Sequence, residues 1–568
     1  MHGNDLRVDE ALSDDARRST RLAALLTLLL CVAGVAGIWI VKRLELWRRS
    51  MFFEHFTTNE GFGIAVLGGT AIVVWMMSAR AGEPDAPTTV WWMKDSRRSR
   101  LILAVWAFIA VRVGAAAVFH GYALVDDEFS GLFQATIYSH GVGSAVVAPP
   151  WCEWIHPLSP LSIVADGCRW QLGYFPVNAL IRGGFMALHL SAWAHPVMAA
   201  LSVLLVMDAS RRAWPGDPHR AVLAGLFLAT STQFLMMSMS SFSMPAHLLA
   251  SAAWLWLYVR PERWALVALP LLGVIALGVH SPYPHVLFAA PLVLRYLSER
   301  RFKAFAYVTL VYVAGSIAWV TWLSAHTHPG AGATVAASAQ AIGGTAQGTL
   351  LRPAGEPIFA ALSMVILGTW NVPIALICVL ASLLMWNRLD TMTRWIAASL
   401  VFTLLARAVF FNTYGVGWGH RYAHAVLANF AIVAAAGAGF LMEAIGRTRG
   451  FRVMAAALLV AVLIQLPIRG VQTARIIRPY ERASRYLESL PADVAVVQFE
   501  SLQWGRQLLR NDPFLRNSPK LMSLSDLTPP ARDSLERRFP GRVRYVRPAE
   551  IEVLGVKAAS RIGRFEIK

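Results

Sequence analysis

Three consecutive carboxylates, Asp126-Asp127-Glu128, form the densest patch of chemistry in the sequence. They follow closely on an apolar run, and charges so near one another and a low-dielectric boundary cannot all ionise freely. At least one should then have a raised pKa or a cationic partner, which suits a general base. The competing reading is an acidic loop flank that sits in water. A second cluster, Gly417-Trp418-Gly419-His420-Arg421-Tyr422-Ala423-His424, places an arginine and two histidines in one short turn. Such donors match an anionic phosphate leaving group; the alternative is a headgroup-anchoring arginine with an interfacial Trp and Tyr. A third set, His280-Ser281-Pro282-Tyr283-Pro284-His285, offers His280, Tyr283 and His285 as substrate contacts, or is a capped, proline-driven hairpin. Arg112 and Arg407 lie inside apolar runs, where a cation marks function by default unless it snorkels to the headgroups. His189 and His195 read as core histidines bonded to a neighbouring helix.

The elements that must position these groups are membrane spans. Of 568 residues 56% are hydrophobic and 15% charged, against about 25% charged in soluble domains. The 52 basic against 34 acidic residues sit in short clusters between apolar runs, a topological pattern and not a nucleic-acid footprint. Four cysteines, Cys31, Cys152, Cys168 and Cys378, contain no C-x-x-C pair and give no metal or redox framework. No Walker loop, dinucleotide fingerprint, H-E-x-x-H or G-x-S-x-G stands in its proper context.

Runs close to the length that crosses the bilayer's hydrocarbon lie at 22–41, 63–79, 101–119, 185–207, 221–238, 243–259, 264–280, 283–297, 305–324, 357–386, 395–412, 423–443 and 453–468. This predicts an all-α polytopic membrane protein of about 13 helices, with the termini on opposite sides. The first run follows a mixed-charge segment and reads as an anchor, not a cleaved leader. Basic residues cluster in alternate connections, such as Arg97 to Arg100, Arg211 and Arg212, Arg260 and Arg263, and Arg447 to Arg452, which are expected to be cytoplasmic. Lys42, Arg43, Arg48 and Arg49 depart from that alternation.

The expected organisation is a cytoplasmic segment 1–20, a membrane domain 21–469 with outer loops 120–184 and 325–356, and an outer α/β domain 470–568. Phe129, Leu132, Phe133 and Ile137 have helical spacing and predict an amphipathic helix at the interface. The loop 325–356 is rich in Gly, Ala, Ser, Thr and Gln, and is expected to be a flexible lid. The tail reads as a strand at Val494 to Phe499, a helix over Leu502 to Arg510, then strands near Leu521 and at Val543 to Val546. Cys152 and Cys168 share one outer loop and can pair if it faces an oxidising compartment.

The stretch Asp127-Glu128-Phe129-Ser130-Gly131-Leu132-Phe133-Gln134-Ala135, closed by Gly141, resembles the first outer loop of the GT-C membrane glycosyltransferases, a class that includes protein mannosyltransferases and aminoarabinose transferases. Tyr174-Phe175-Pro176, Gly417 to Tyr422 and Asn511-Asp512-Pro513 resemble further elements of the class in the same order. The resemblance implies a bacterial inner-membrane enzyme. Its substrates would be a polyprenyl-phosphate-linked sugar and a lipid, glycan or protein acceptor, with membrane lipid and no nucleic acid as its other partners. Asp127 would be the base, beside Asp126 and Glu128, and Arg421, His420, Tyr422 and Arg407 would bind the donor phosphate. A divalent metal is the one cofactor open to it. Many members carry an acid in the turn that here reads Met239-Ser240-Ser241-Phe242-Ser243-Met244-Pro245, which weakens the case for a metal. The rival reading is a transporter or flippase for a lipid-linked or anionic solute; no internal repeat supports it.

The alternation of basic loops generates a topological prediction. In intact cells Ser518→Cys is expected to react with a membrane-impermeant thiol reagent and Pro215→Cys is not. The opposite labelling pattern would put the acidic triplet in the cytoplasm.

Overall fold

A computed structural model describes residues 2–46, 51–79, 96–327, 357–410 and 417–559. The expected lid lies almost wholly outside them. The bundle opens with α1 (His2–Arg43), α2 (Met51–Ser78) and α3 (Arg97–Ala117). Segment 1–20 is therefore helical from residue 2 and continuous with the first span. Ser96 starts α3 with a capping box, its Oγ accepting from the Ser99 amide at 3.0 Å. A long connection follows, holding α4 (Asp126–Ser139), the single turn α5 (Ile155–Leu158) and α6 (Val177–Ala187). The chain then returns through α7 (Ala194–Ala213), α8 (Pro218–Ala229), α9 (Thr232–Met239), α10 (Met244–Tyr258), α11 (Arg263–Leu277), α12 (Tyr283–Ser298) and α13 (Phe302–Thr327). The remaining bundle helices are α14 (Pro357–Thr369), α15 (Ala375–Leu384), α16 (Thr391–Phe410), α17 (Leu427–Ile445) and α18 (Arg447–Val460). The last of these runs through a π-turn at Ala461–Gln465 into α19 (Leu466–Glu488).

Among the described residues eight helices are long and apolar enough to span a membrane, or nine if α8 and α9, bent by 50°, count as one. The expected count of about 13 is not confirmed by this measure, because apolarity does not report breaks. The run 357–386 divides around Asn371 to Pro373 into helices of 13 and 10 residues, and α10, α11 and α12 have 15, 15 and 16, short of the roughly 20 that cross the hydrocarbon. The run at 185–207 is likewise interrupted: α6 ends, His189 takes a left-handed φ of 59°, and α7 begins at Ala194. Large apolar side chains such as Leu310 and Val113 lie exposed on the outside of the bundle. Lipid accepts that surface and water does not.

The charged groups separate to the two ends. At one end Asp208 receives Arg211 and Arg212 at 2.7 Å, Arg100 at 3.5 Å and Arg260 at 3.8 Å. These arginines come from three of the basic connections. The acidic triplet, the 280–285 turn and the C-terminal domain gather at the other end. Glu54 at the start of α2 meets Gln503 and Lys557 there, so the start of α2 stands on the C-terminal-domain side.

Two small sheets complete that end. β1 (Ala145–Val146), β2 (Ile163–Asp166) and β3 (Arg169–Leu172) are antiparallel in the order β1-β3-β2. β4 (Val494–Val497), β5 (Lys520–Ser523) and β6 (Val543–Val546) are parallel in the order β5-β4-β6, with α20 (Pro529–Arg538) and α21 (Pro548–Glu552). Every residue of Val494–Val497 is buried, as a central parallel strand requires. Leu502 to Arg510, expected as a helix, holds only a 3₁₀ turn at Gly505–Leu508, and the boundary at 469/470 falls inside α19. Phe133, Ile137, Trp154 and Trp170 share one core with Val494, Val496, Met522 and Leu535. Trp170 donates to the Pro513 carbonyl at 2.7 Å and Asn511 to that of Leu158 at 2.7 Å. The C-terminal domain and the long connection are therefore one packed body.

Cys152 and Cys168 are bonded within it, their Cα atoms 5.1 Å apart. The ring they close is worth about 3 kcal/mol by chain entropy. Cys168→Ser is expected to lower the thermal transition of the purified protein, and reductant to do the same to the parent and nothing further to the variant. Equal transitions for all four samples would show that the bridge does not brace the loop.

Candidate active site

The acidic triplet forms the first turn of α4, where carboxylates favour the exposed amides and the helix dipole. The three side chains take different paths. Glu128 is fully buried, its Oε2 accepting from the Val125 amide and its Oε1 from the Ser241 amide, each at 3.0 Å. It clamps the start of α4 to the turn between α9 and α10. Burial pushes its carboxyl up to about 7, with the two amides opposing that rise.

Asp127 faces Arg421, Oδ2 to Nη1 at 3.0 Å, and its Oδ1 accepts from the Tyr174 hydroxyl at 3.1 Å. Burial alone would raise this carboxyl, but the Arg421 guanidinium outweighs it and holds Asp127 below the usual carboxylate range. Asp126 moves the other way. Burial and the charge on Asp127 raise it, while Ser162 Oγ donates to its Oδ2 at 2.9 Å. Neighbouring carboxylates driven apart in this manner can divide acid and base duties. Ser162 and Tyr174, 3.3 Å apart, join the two acids into one network. The His280 ring lies 4.3 Å from that of Tyr174 and feels the charge on Asp127, but burial lowers its basicity more.

Arg421 is positioned through its backbone. Gln233 on α9 donates to the His420 carbonyl at 2.8 Å and accepts from the His420 amide at 3.2 Å. This close approach requires Gly419, which has φ +78° and whose missing Cβ would lie 3.1 Å from Gln233. Arg421 also donates to the Tyr422 hydroxyl at 2.5 Å. The Tyr422 ring is shared by Arg421 at 4.6 Å and Arg407 at 4.0 Å. Of the four residues singled out for phosphate binding, Arg421 meets Asp127, Tyr422 and Arg407 adjoin Arg421, and His420 takes part through its backbone. The 280–285 set divides: His280 faces the acids, Tyr283 is half-buried at the start of α12, and His285 turns into the bundle, its Nε2 2.6 Å from the Tyr312 hydroxyl. Arg112 and His195 line a different cavity.

Ser162, Gln233, Ser241 and Arg510 escaped the sequence reading. Arg510 from the C-terminal domain donates to the Ala123 and Leu124 carbonyls and lies over the Tyr122 and Phe129 rings at 4.0 and 4.9 Å. It fixes the strap that enters α4. Its one sequence signal is its place beside Asn511-Asp512-Pro513. A metal does not fit here: a guanidinium already occupies the Asp127 carboxylate, and among the described residues no three His, Cys, Asp or Glu are arranged to hold one.

No protein-family model matches the chain, and no curated protein matches it in sequence. Solved structures do match in fold. ArnT from Cupriavidus metallidurans bound to undecaprenyl phosphate aligns at TM-score 0.51 and 12% identity over 79% of this chain and 90% of that one. The apo state of the same protein aligns at TM-score 0.47 and 13% identity, over 78% and 90%. The Archaeoglobus fulgidus oligosaccharyltransferase complex with Zn and sulfate aligns at 0.42 and 13%, over 71% and 61%. The architecture is the GT-C fold of membrane glycosyltransferases.

The clamp role of Glu128 is testable through stability. Glu128→Ala leaves the Val125 and Ser241 amides without their acceptor, at about 1–3 kcal/mol for each, and should lower the thermal transition in detergent. An unchanged transition would show that the carboxylate does not tie α4 to the α9–α10 turn.

Proposed function

We propose that this protein is an inverting glycosyltransferase that moves a sugar from a polyprenyl-phosphate donor to an acceptor hydroxyl on the outer face of the bacterial inner membrane. The observation that carries the reading is the Asp127 carboxylate set 3.0 Å from the Arg421 guanidinium, in a nearly dry site with Arg407 and Tyr422 alongside. One group can take a proton and its neighbour can receive a phosphate. The undecaprenyl phosphate held by ArnT in its crystal structure supports the donor class.

The acceptor hydroxyl gives its proton to Asp127 as its oxygen bonds to the anomeric carbon. The bond from that carbon to the phosphate oxygen breaks on the opposite face, which inverts the centre. The electron pair leaves on the phosphate, where Arg421 meets the developing charge in a low-dielectric setting. Phosphate and Asp127 compete for one guanidinium, so donor binding loosens the ion pair and returns basicity to the carboxylate when it is needed. The acceptor is a lipid, glycan or protein bearing a hydroxyl.

A positioned base contributes about 10² to 10⁴ in rate. Asp127→Asn is therefore expected to abolish the envelope-glycan difference that mass spectrometry finds between cells with and without the protein. Asp126→Asn should reduce it less. Wild-type product from both variants, at matched membrane levels, would remove the base from this pair.

A further inference from the structure

A cavity of about 540 Å³ is lined by Ser240 and Ser241 of the turn between α9 and α10, and by neither Asp127 nor Arg421. Arg421 stacks over Phe242 at 5.1 Å. Arg182 donates to the Ser241 carbonyl at 2.7 Å, and His195 Nδ1 lies 2.6 Å from that of Ser240. The turn thus meets Arg421 through the Phe242 ring and Arg182 and His195 through two of its carbonyls.

The lining is one-sidedly basic. Arg112, Arg182, Arg485, His120 and His195 contribute to it, and no carboxylate does. Glu481 stands behind, 2.5 Å from Arg485 and 4.0 Å from His120, and among the described residues neither Arg112 nor Arg182 has an ion-pair partner. Arg182 is 6% exposed, and the carboxylate whose charge reaches it, Glu128, spends both oxygens on the Val125 and Ser241 amides, so a guanidinium in this poorly hydrated place still gains from an anion in the cavity. Two further buried groups lack partners among the described residues, His195 Nε2 and Ser238 Oγ, and both residues line the cavity. A carbonyl can only accept, so the bond to Ser240 places the His195 proton on Nδ1. Nε2 is left to accept from a hydroxyl.

The surroundings say where such an anion comes from. Arg112 emerges between Ile109 and Val113, both more than half exposed on the lipid-facing side of α3, with the Trp193 ring 5.5 Å from its guanidinium. Leu188 and Leu190 at the end of α6 are exposed close by. Apolar flanks around an interfacial Trp and Arg suit acyl chains below a headgroup.

We infer that this cavity is a binding site for the phosphate headgroup of an anionic lipid, separate from the Asp127–Arg421 centre. Its ligand carries phosphate and, opposite His195, a hydroxyl or a protonated phosphate oxygen. The assignment does not rest on the transfer reaction, since binding is read directly.

Native mass spectrometry of the purified full chain, titrated with dioleoyl phosphatidic acid or dioleoyl phosphatidylcholine, tests it. Phosphatidic acid should be retained and phosphatidylcholine should not. Arg112→Gln and Arg485→Gln, at half-buried and exposed positions, should each weaken retention, and together by about tenfold or more, and Arg112→Gln, which breaks no ion pair among the described residues, should leave the ligand-free thermal transition unchanged. Millimolar inorganic phosphate is the second arm. Displacement of the lipid by phosphate would support the phosphate chemistry and assign it to a soluble anion as well as to a headgroup; failure to displace it would assign the site to lipid. Equal retention of the two lipids, or retention by the double variant equal to that of the parent, would overturn the proposal.

Discussion

A buried carboxylate and a buried guanidinium, 294 positions apart in the chain, set the constraint that the rest of this end of the molecule satisfies. Taking Asp127 and Arg421 out of water costs several kcal/mol for each ion, and their attraction offsets that only if geometry and further hydrogen bonds are right. Tyr174 supplies one such bond to Asp127, and Tyr422 one to Arg421. The backbones on which the two residues sit are held more firmly still. Glu128 spends both oxygens on amides, Gln233 grips both polar atoms of the His420 peptide unit, and Arg510 holds two carbonyls ahead of α4. Each of these three side chains comes from a different part of the fold, so the ion pair exists only when the bundle, the long connection and the C-terminal domain are assembled together.

A second buried ion pair shows by contrast what makes the first a candidate site. Glu60 on α2 meets Arg469 on α19 at 2.7 Å with neither side chain exposed. Thr369 and Trp370 donate to Glu60, while Arg469 also reaches the Asn59 carbonyl and Gln472. Gly63 leaves the room, since a Cβ there would lie 2.5 Å from Arg469. This pair is enclosed and its carboxylate fully occupied, which is how a structural lock between helices looks. Asp127 and Arg421, by contrast, are 16% and 8% exposed. A buried pair that is less completely closed than a structural lock is a candidate for exchange with a ligand.

What the sequence disclosed follows the same division. Asp126 to Glu128 and Gly417 to His424 were legible because they concentrate unusual side chains in a few positions, and the fold brings the two stretches into contact. Gln233, Ser241 and Arg510 were not, because they act on backbone atoms, and any position able to reach a peptide group looks ordinary in the sequence. Glu128 was grouped with its neighbours for the same reason: adjacency on the chain does not say that successive helical side chains point 100° apart. The helices themselves were foreseeable from apolar runs, but their breaks at Thr230, His189 and Asn371 were not, since those residues end a helix through local geometry that hydropathy ignores.

The break between α9 and α10 ties these points together. A continuous helix through Ser240 to Ser243 would keep its amides and carbonyls for its own ladder. Because the chain turns here, the Ser241 amide is available to Glu128 and the Ser240 and Ser241 carbonyls to His195 and Arg182. Helix interruptions are tolerated where the freed backbone groups find protein partners or line a cavity; this one does both. It also places the Phe242 ring under Arg421. Moving this short turn would therefore disturb the carboxylate helix, the guanidinium and the basic cavity at once. On the proposed reading that is its physical significance: the uncharged residues of Ser240-Ser241-Phe242, which offer no chemistry of their own, carry the coupling between an anion on one side and proton transfer on the other.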